Sequence, residues 1–130
     1  MMRAALALIV LVPSMAFAQD DTIDRGKTYA TDRAACGAGE LGEALVLDFD
    51  RGIEAYEYHC DFFDVKQSDG SPFLLVEAVC EVPGARNPDL LSISPYEADS
   101  IEVTSLYEST MFEATEGNPN PGVTIYYRCD

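Results

Sequence analysis

Tryptophan is absent from the 130 residues, histidine occurs once, at His59, and lysine only at Lys27 and Lys66. Eight basic residues stand against 23 acidic ones, a formal charge of −15. This shortage of cations excludes whole classes of partner. Phosphate backbones and anionic lipid headgroups are held by Lys and Arg, so neither nucleic acid nor a membrane surface is expected to bind. A lysine-based mechanism has almost no candidate group, and the missing Trp weakens a sugar-cleft reading. The patterns G-x-S-x-G, S-x-x-K and H-E-x-x-H and glycine-rich phosphate loops are also missing.

No apolar run is long enough for a membrane helix. Ala4 to Val12 gives about nine residues where a bilayer needs roughly 20. Preceded by Arg3 and followed by Pro13-Ser14-Met15-Ala16-Phe17-Ala18, with its A-x-A ending, this run reads as a signal peptide over residues 1–18, cleaved before Gln19. No Cys stands at that junction, which argues against a lipoprotein. Loss of the leader removes Arg3 and leaves the mature chain one unit more negative. Residues 19–26 read as a flexible polar segment and 27–130 as a single domain, too short for separate cofactor and substrate domains. The expected location is the periplasm or the exterior.

What the chain does have is four Cys, at positions 36, 60, 80 and 129. Their spacing contains no C-x-x-C or Cys/His pair of the kind zinc needs, and an exported chain meets an oxidising compartment, so two disulfides are expected. No metal and no cofactor are expected.

Apolar residues recur at period two between turn signals. Leu45, Leu47 and Phe49 share a face, as do Tyr56, Tyr58, Cys60 and Phe62; Leu74, Val76, Ala78, Cys80 and Val82; and Val123, Ile125, Tyr127 and Cys129. Shorter candidates are Thr28 to Thr31, Leu90 to Ser94, Ile101 to Leu106 and Met111 to Ala114. A short helix over Ala34 to Glu43 is weakened by three glycines. About seven or eight short antiparallel strands are expected, as a small meander barrel or a sandwich, an all-β fold. Register follows from parity, since paired strands must turn their apolar faces the same way. A three-residue loop centred on Gly70 sets Cys60 opposite Cys80, Phe62 opposite Ala78 and Tyr58 opposite Val82. Cys60–Cys80 and, by elimination, Cys36–Cys129 are the pairings this predicts.

Asp48, Asp50 and Glu54 superficially resemble an oxygen-rich calcium loop. A two-residue Arg51-Gly52 hairpin would turn Glu54 to the apolar side, away from the two aspartates, and the 12-residue loop ending in a bidentate Glu is missing. His59 falls on the outward face of its strand with Glu57 and Asp61 to either side and Glu81 across from it. One imidazole among carboxylates can serve as a general base, one corner of a metal site or a solvated charged patch. No Ser or Cys nucleophile stands beside it in any local motif, so the solvated patch is the plainer reading. Asn118, Pro119, Asn120 and Pro121, ahead of Gly122, form a candidate contact loop, expected to be exposed and tolerant of substitution.

The expected function is therefore that of an exported, acidic, non-catalytic binding or inhibitory module, monomeric, whose field would steer a cationic protein inward. The alternative is a small carboxylate-dependent periplasmic hydrolase using His59, which would depend on one particular Asp or Glu.

Overall fold

Alternation of the kind found in Leu74–Val82 buries one side of a strand, and here eight strands close on themselves. The computed structural model describes residues 22–37 and 43–130. The strands are β1 Thr28–Ala30, β2 Val46–Asp48, β3 Gly52–Ala55, β4 Tyr58–Gln67, β5 Leu74–Val82, β6 Ala85–Pro95, β7 Ser100–Ser105 and β8 Val123–Arg128. Each pairs antiparallel with its neighbour in sequence, and β8 returns to β1, giving a closed meander barrel. A 3-10 turn spans Arg33–Ala35, and a helix, α1, spans Leu106–Met111. The signal peptide and residues 19–21 lie outside the described residues, as do residues 38–42 of the expected helix. Of the segment expected to be flexible, residues 22–26 are described, and Ile23 there is a core residue.

The core lies inside the barrel, with Leu47, Val76, Leu91, Ile93, Cys60 and Tyr126 its largest fully buried side chains. Tyr29 and Phe49 meet edge to face at 5.9 Å, and Phe62 lies 6.5 Å from Phe49. These three rings fill the end of the barrel where β2 turns into β3. At the opposite end lie the β3–β4 and β5–β6 turns and the β7–β8 connection that carries α1.

Both disulfides are present, Cys60–Cys80 with a Cα separation of 4.0 Å and Cys36–Cys129 with one of 5.6 Å. Two disulfides fit an oxidising, extracytoplasmic environment. Cys60 pairs with Cys80 and Phe62 with Ala78, the expected register. The turn that leads to it is different. Gln67 pairs with Leu74, so Ser68–Phe73 form a six-residue loop, and a bulge between Phe62 and Asp64 restores the parity that a three-residue turn would have set. Phe63, the extra residue, is exposed.

The expected long hairpin across Arg51-Gly52 is also corrected. Gly52 belongs to β3, opposite Asp48 on one side and Asp61 on the other, and Tyr56-Glu57 forms the next turn. Gly52 has φ +138°, and a Cβ there would lie 1.7 Å from the Cys60 carbonyl oxygen, so only glycine fits. In β8 the buried side chain is Tyr126, and Val123 is exposed. The inward face is therefore the even-numbered one, the reverse of the parity read from Val123, Ile125 and Tyr127. Tyr127 instead lies under the Arg33 guanidinium, 5.2 Å from its ring centre. The strand expected over Met111 to Ala114 is the end of α1 and the coil after it.

Breaking the disulfide that spans 93 residues should cost about 4–5 kcal/mol on the chain-entropy model. Cys36→Ala with Cys129→Ala should also speed amide exchange at Ala30 and Tyr127 beyond the global change, whereas Cys60→Ala with Cys80→Ala should not. Urea denaturation and hydrogen exchange by NMR check both statements.

Candidate functional site

His59 lies in a row of outward side chains that crosses four strands: Glu54 on β3, His59 on β4, Glu81 on β5 and Arg86 on β6 are successive cross-strand partners. Its Nε2 is 3.4 Å from Glu81 Oε2 and 3.7 Å from Asp61 Oδ2, and Arg86 Nε is 3.1 Å from Glu81 Oε1. Acid and base alternate along the row, which is how a sheet spaces charge on a wet face. Glu57 sits in the β3–β4 turn at φ 58° and forms no ion pair with His59. Glu54, expected on the apolar side, is exposed on this outer face. Asp48 Oδ1 accepts from the Asp50 amide at 2.9 Å, so that aspartate shapes the turn. Among the described residues no trio of His, Cys, Asp or Glu is arranged to hold a metal ion.

Asn118, Pro119 and Asn120 are exposed and Pro121 is half-buried. The next residue is not tolerant at all. Gly122 has φ +85°, and a Cβ there would approach the Ser105 carbonyl oxygen to 2.8 Å and the Ser109 nitrogen to 2.9 Å. The loop expected to tolerate substitution thus ends in a tight seat against α1.

The site that was not read from the sequence lies under that helix. Ser105-Leu106-Tyr107-Glu108 has capping-box spacing, and this is the signal that could have found it. Ser105 Oγ accepts from the Glu108 amide at 3.1 Å, the usual first half of the box. The second half is missing because the Ser105 amide donates to the Gly122 carbonyl at 2.8 Å. Glu108 is left with a carboxylate that the cap does not use.

Asp89 holds this assembly to the barrel. Its Oδ1 accepts from the Leu90 amide at 2.8 Å and the Tyr107 amide at 3.0 Å, and its Oδ2 accepts from Ser105 Oγ at 2.5 Å. β7 pairs with β6 only from Leu91 to Pro95, so Asp89 lies on the stretch of β6 that has no β7 partner. One carboxylate therefore pins α1 where the sheet stops.

Between α1 and the core is a cleft of about 180 Å³. Ile53, Leu91 and Val103 form its apolar wall, and Tyr58, Tyr126 and Glu108 bring polar atoms to it. Tyr58 OH donates to Cys60 Sγ at 2.9 Å. Burial, followed by the charges of Glu108 and Asp89, pushes the Tyr58 phenol up to about 12. Burial, then Tyr58 and Glu108, raises Tyr126 as well. Glu108 is raised from the usual 4.5, first by burial and then by Asp89. No basic side chain lines this cleft among the described residues. A wider groove of about 500 Å³ at the other end contains Arg128, but that guanidinium is already held by Asp99 at 3.0 Å and Asp130 at 2.8 Å.

Asp89→Ala should cost about 2 kcal/mol, because three donors lose a charged acceptor at once, and α1 amides should exchange faster than the barrel. Loss of stability without loss of α1 protection would contradict the anchoring role. The raised Glu108 favours the neutral form in the folded state. Its stabilising contribution is fully present below the unfolded value of 4.5 and is lost as pH rises through the folded one. Glu108→Gln should therefore be more stable than the natural chain at about pH 7, by less than about 1 kcal/mol given its partial exposure, and the gain should vanish towards about pH 4. Thermal melts across that range check the sign.

No protein-family model matches this chain, no curated protein matches it, and no solved structure matches it. Every residue role assigned to the barrel therefore rests on its own geometry.

Proposed function

We propose that the chain is an exported, non-catalytic binding module of the periplasm or the exterior, and that its partner is a positively charged protein. The observation that carries this reading is how few acids are neutralised. Among the described residues, ion pairs take up only Asp61, Asp64, Glu81, Asp99 and Asp130, against a formal charge of −15. Acids left without local partners add up to a field that extends beyond the surface and speeds encounter with a cation. The scaffold suits recognition better than chemistry. It is stapled by two disulfides, and the ion-pair neighbours of its one imidazole among the described residues are carboxylates.

The test uses the oxidised protein from Gln19 onwards as immobilised bait for the exported proteins of its source, eluted by salt. A basic protein should be retained and should rebind in calorimetric titration with an affinity that falls steeply between about 50 and 200 mM salt. Single neutralisations of Asp48, Glu54 or Glu57 should each change that affinity less than about threefold, because no single charge makes the field. Retention of no protein, or of a partner indifferent to ionic strength, would overturn the reading.

A further inference from the structure

At the α1-covered mouth of the barrel, where the cleft lies, Tyr126 is the side chain for which the fold itself gives no reason to be polar. It is 2 % exposed, on the inward face of β8, and its hydroxyl forms no hydrogen bond among the described residues. A phenylalanine would fill the same volume without the cost of withdrawing a hydroxyl from water. That hydroxyl is not sealed in, since no deeply buried polar side-chain atom lacks a partner in the described structure. It reaches the cleft. Glu108, also lining the cleft, is half-buried, without a cation and without its capping donor. Two polar groups that the fold leaves unpartnered thus converge on one apolar space.

The size and sign of that space restrict what enters it. A dry cavity near 150 Å³ takes a benzene-sized molecule, so about 180 Å³ holds one ring and a short arm. Ile53, Leu91 and Val103 would contact an apolar body. The rim offers an anionic acceptor, a phenol hydroxyl and aromatic faces, all of which favour a cation over an anion.

We propose that the α1-capped mouth binds a compact organic cation, an apolar body of about one ring carrying a protonated amine. The ammonium lies against Glu108 and the Tyr126 hydroxyl, and the apolar body contacts Ile53, Leu91 and Val103. This site is separate from the exterior field and does not depend on the protein partner proposed above.

The experiment titrates the oxidised mature protein with 2-phenylethylamine, with 2-phenylethanol as its neutral counterpart and 3-phenylpropionate as an anion of related size. Ring resonances of Tyr58 and Tyr126 are followed by NMR at about pH 7.5, where the amine is charged. The amine should shift both rings and bind at least about tenfold more tightly than the alcohol, and the anion should not bind. Glu108→Gln should reduce amine affinity about tenfold and leave the alcohol unchanged, and Tyr126→Phe should reduce it about threefold. Both variants are near-isosteric, and their melting curves show that the barrel is intact. Equal binding of amine and alcohol, amine affinity unchanged in Glu108→Gln, shifts confined to the outer acids, or no binding up to about 10 mM would each overturn the proposal.

Discussion

Closure of the barrel depends on its shortest seam. β1 has three residues, and it meets β8 at two positions only, Tyr29 with Arg128 and Ala30 with Tyr127. All seven other seams have longer ladders, the shortest of them, β1–β2 and β2–β3, with three pairs each. Without the β1–β8 seam, β1 and β8 would be free edges and Tyr29 and Tyr126 would line an open sheet. The Cys36–Cys129 bond crosses at this place, and the Cys129 amide donates to the Thr28 carbonyl at 2.8 Å. Tyr29 and Ala30, consecutive in sequence, are both buried, so β1 is covered on both faces. A covalent link beside a two-position seam replaces the hydrogen bonds that a three-residue strand cannot supply.

The parts of this fold legible in the sequence are those governed by local alternation. Leu74 to Cys80 is one inward face by simple period two, and its match with Cys60 and Phe62 fixes the thiols opposite each other however the intervening turn is built. The turn itself could not be read. A bulge at Phe63 and a six-residue loop give the same pairing at the cysteines as a three-residue turn without a bulge, since each inserted residue changes parity once. β8 misled for a different reason. Val123-Thr124-Ile125-Tyr126-Tyr127 is apolar on both parities, and hydrophobicity cannot choose between Tyr126 and Tyr127. The choice shows only in the tertiary structure, where pairing with β1 and β7 turns Tyr126 inward and Tyr127 lies under the Arg33 guanidinium, from a turn far away in sequence.

The candidate site was hidden for a related reason. His59 attracts notice because it is the sole imidazole, yet its neighbours are cross-strand partners whose spacing a sheet imposes. The mouth has no conspicuous residue. It arises where β6 runs on past β7, where Asp89 takes over from the missing strand as acceptor, and where Gly122 removes from the capping box the amide that Glu108 would otherwise occupy. Each contributor is unremarkable alone, and they come together only once the barrel is closed. Asp89 also couples the two halves of the region. It fixes the helix that roofs the cleft and, as a second carboxylate nearby, holds the Glu108 proton more tightly.

Acidity therefore acts in this molecule on two length scales. The exterior carboxylates are solvated, and salt screens their joint field over about 8–10 Å, so it governs approach more than residence. Glu108 is half-buried beside Asp89, where screening is weaker and a charge left without a partner costs more. On the two proposals above, the same sign of charge would steer a macroscopic partner and select a ring-sized ligand without a shared residue. Along the Glu54–His59–Glu81–Arg86 row the outer face of the sheet alternates acidic and basic side chains. At the mouth there is no such alternation, and that difference between two acidic regions of one barrel is the physical reason to read one as surface and the other as site.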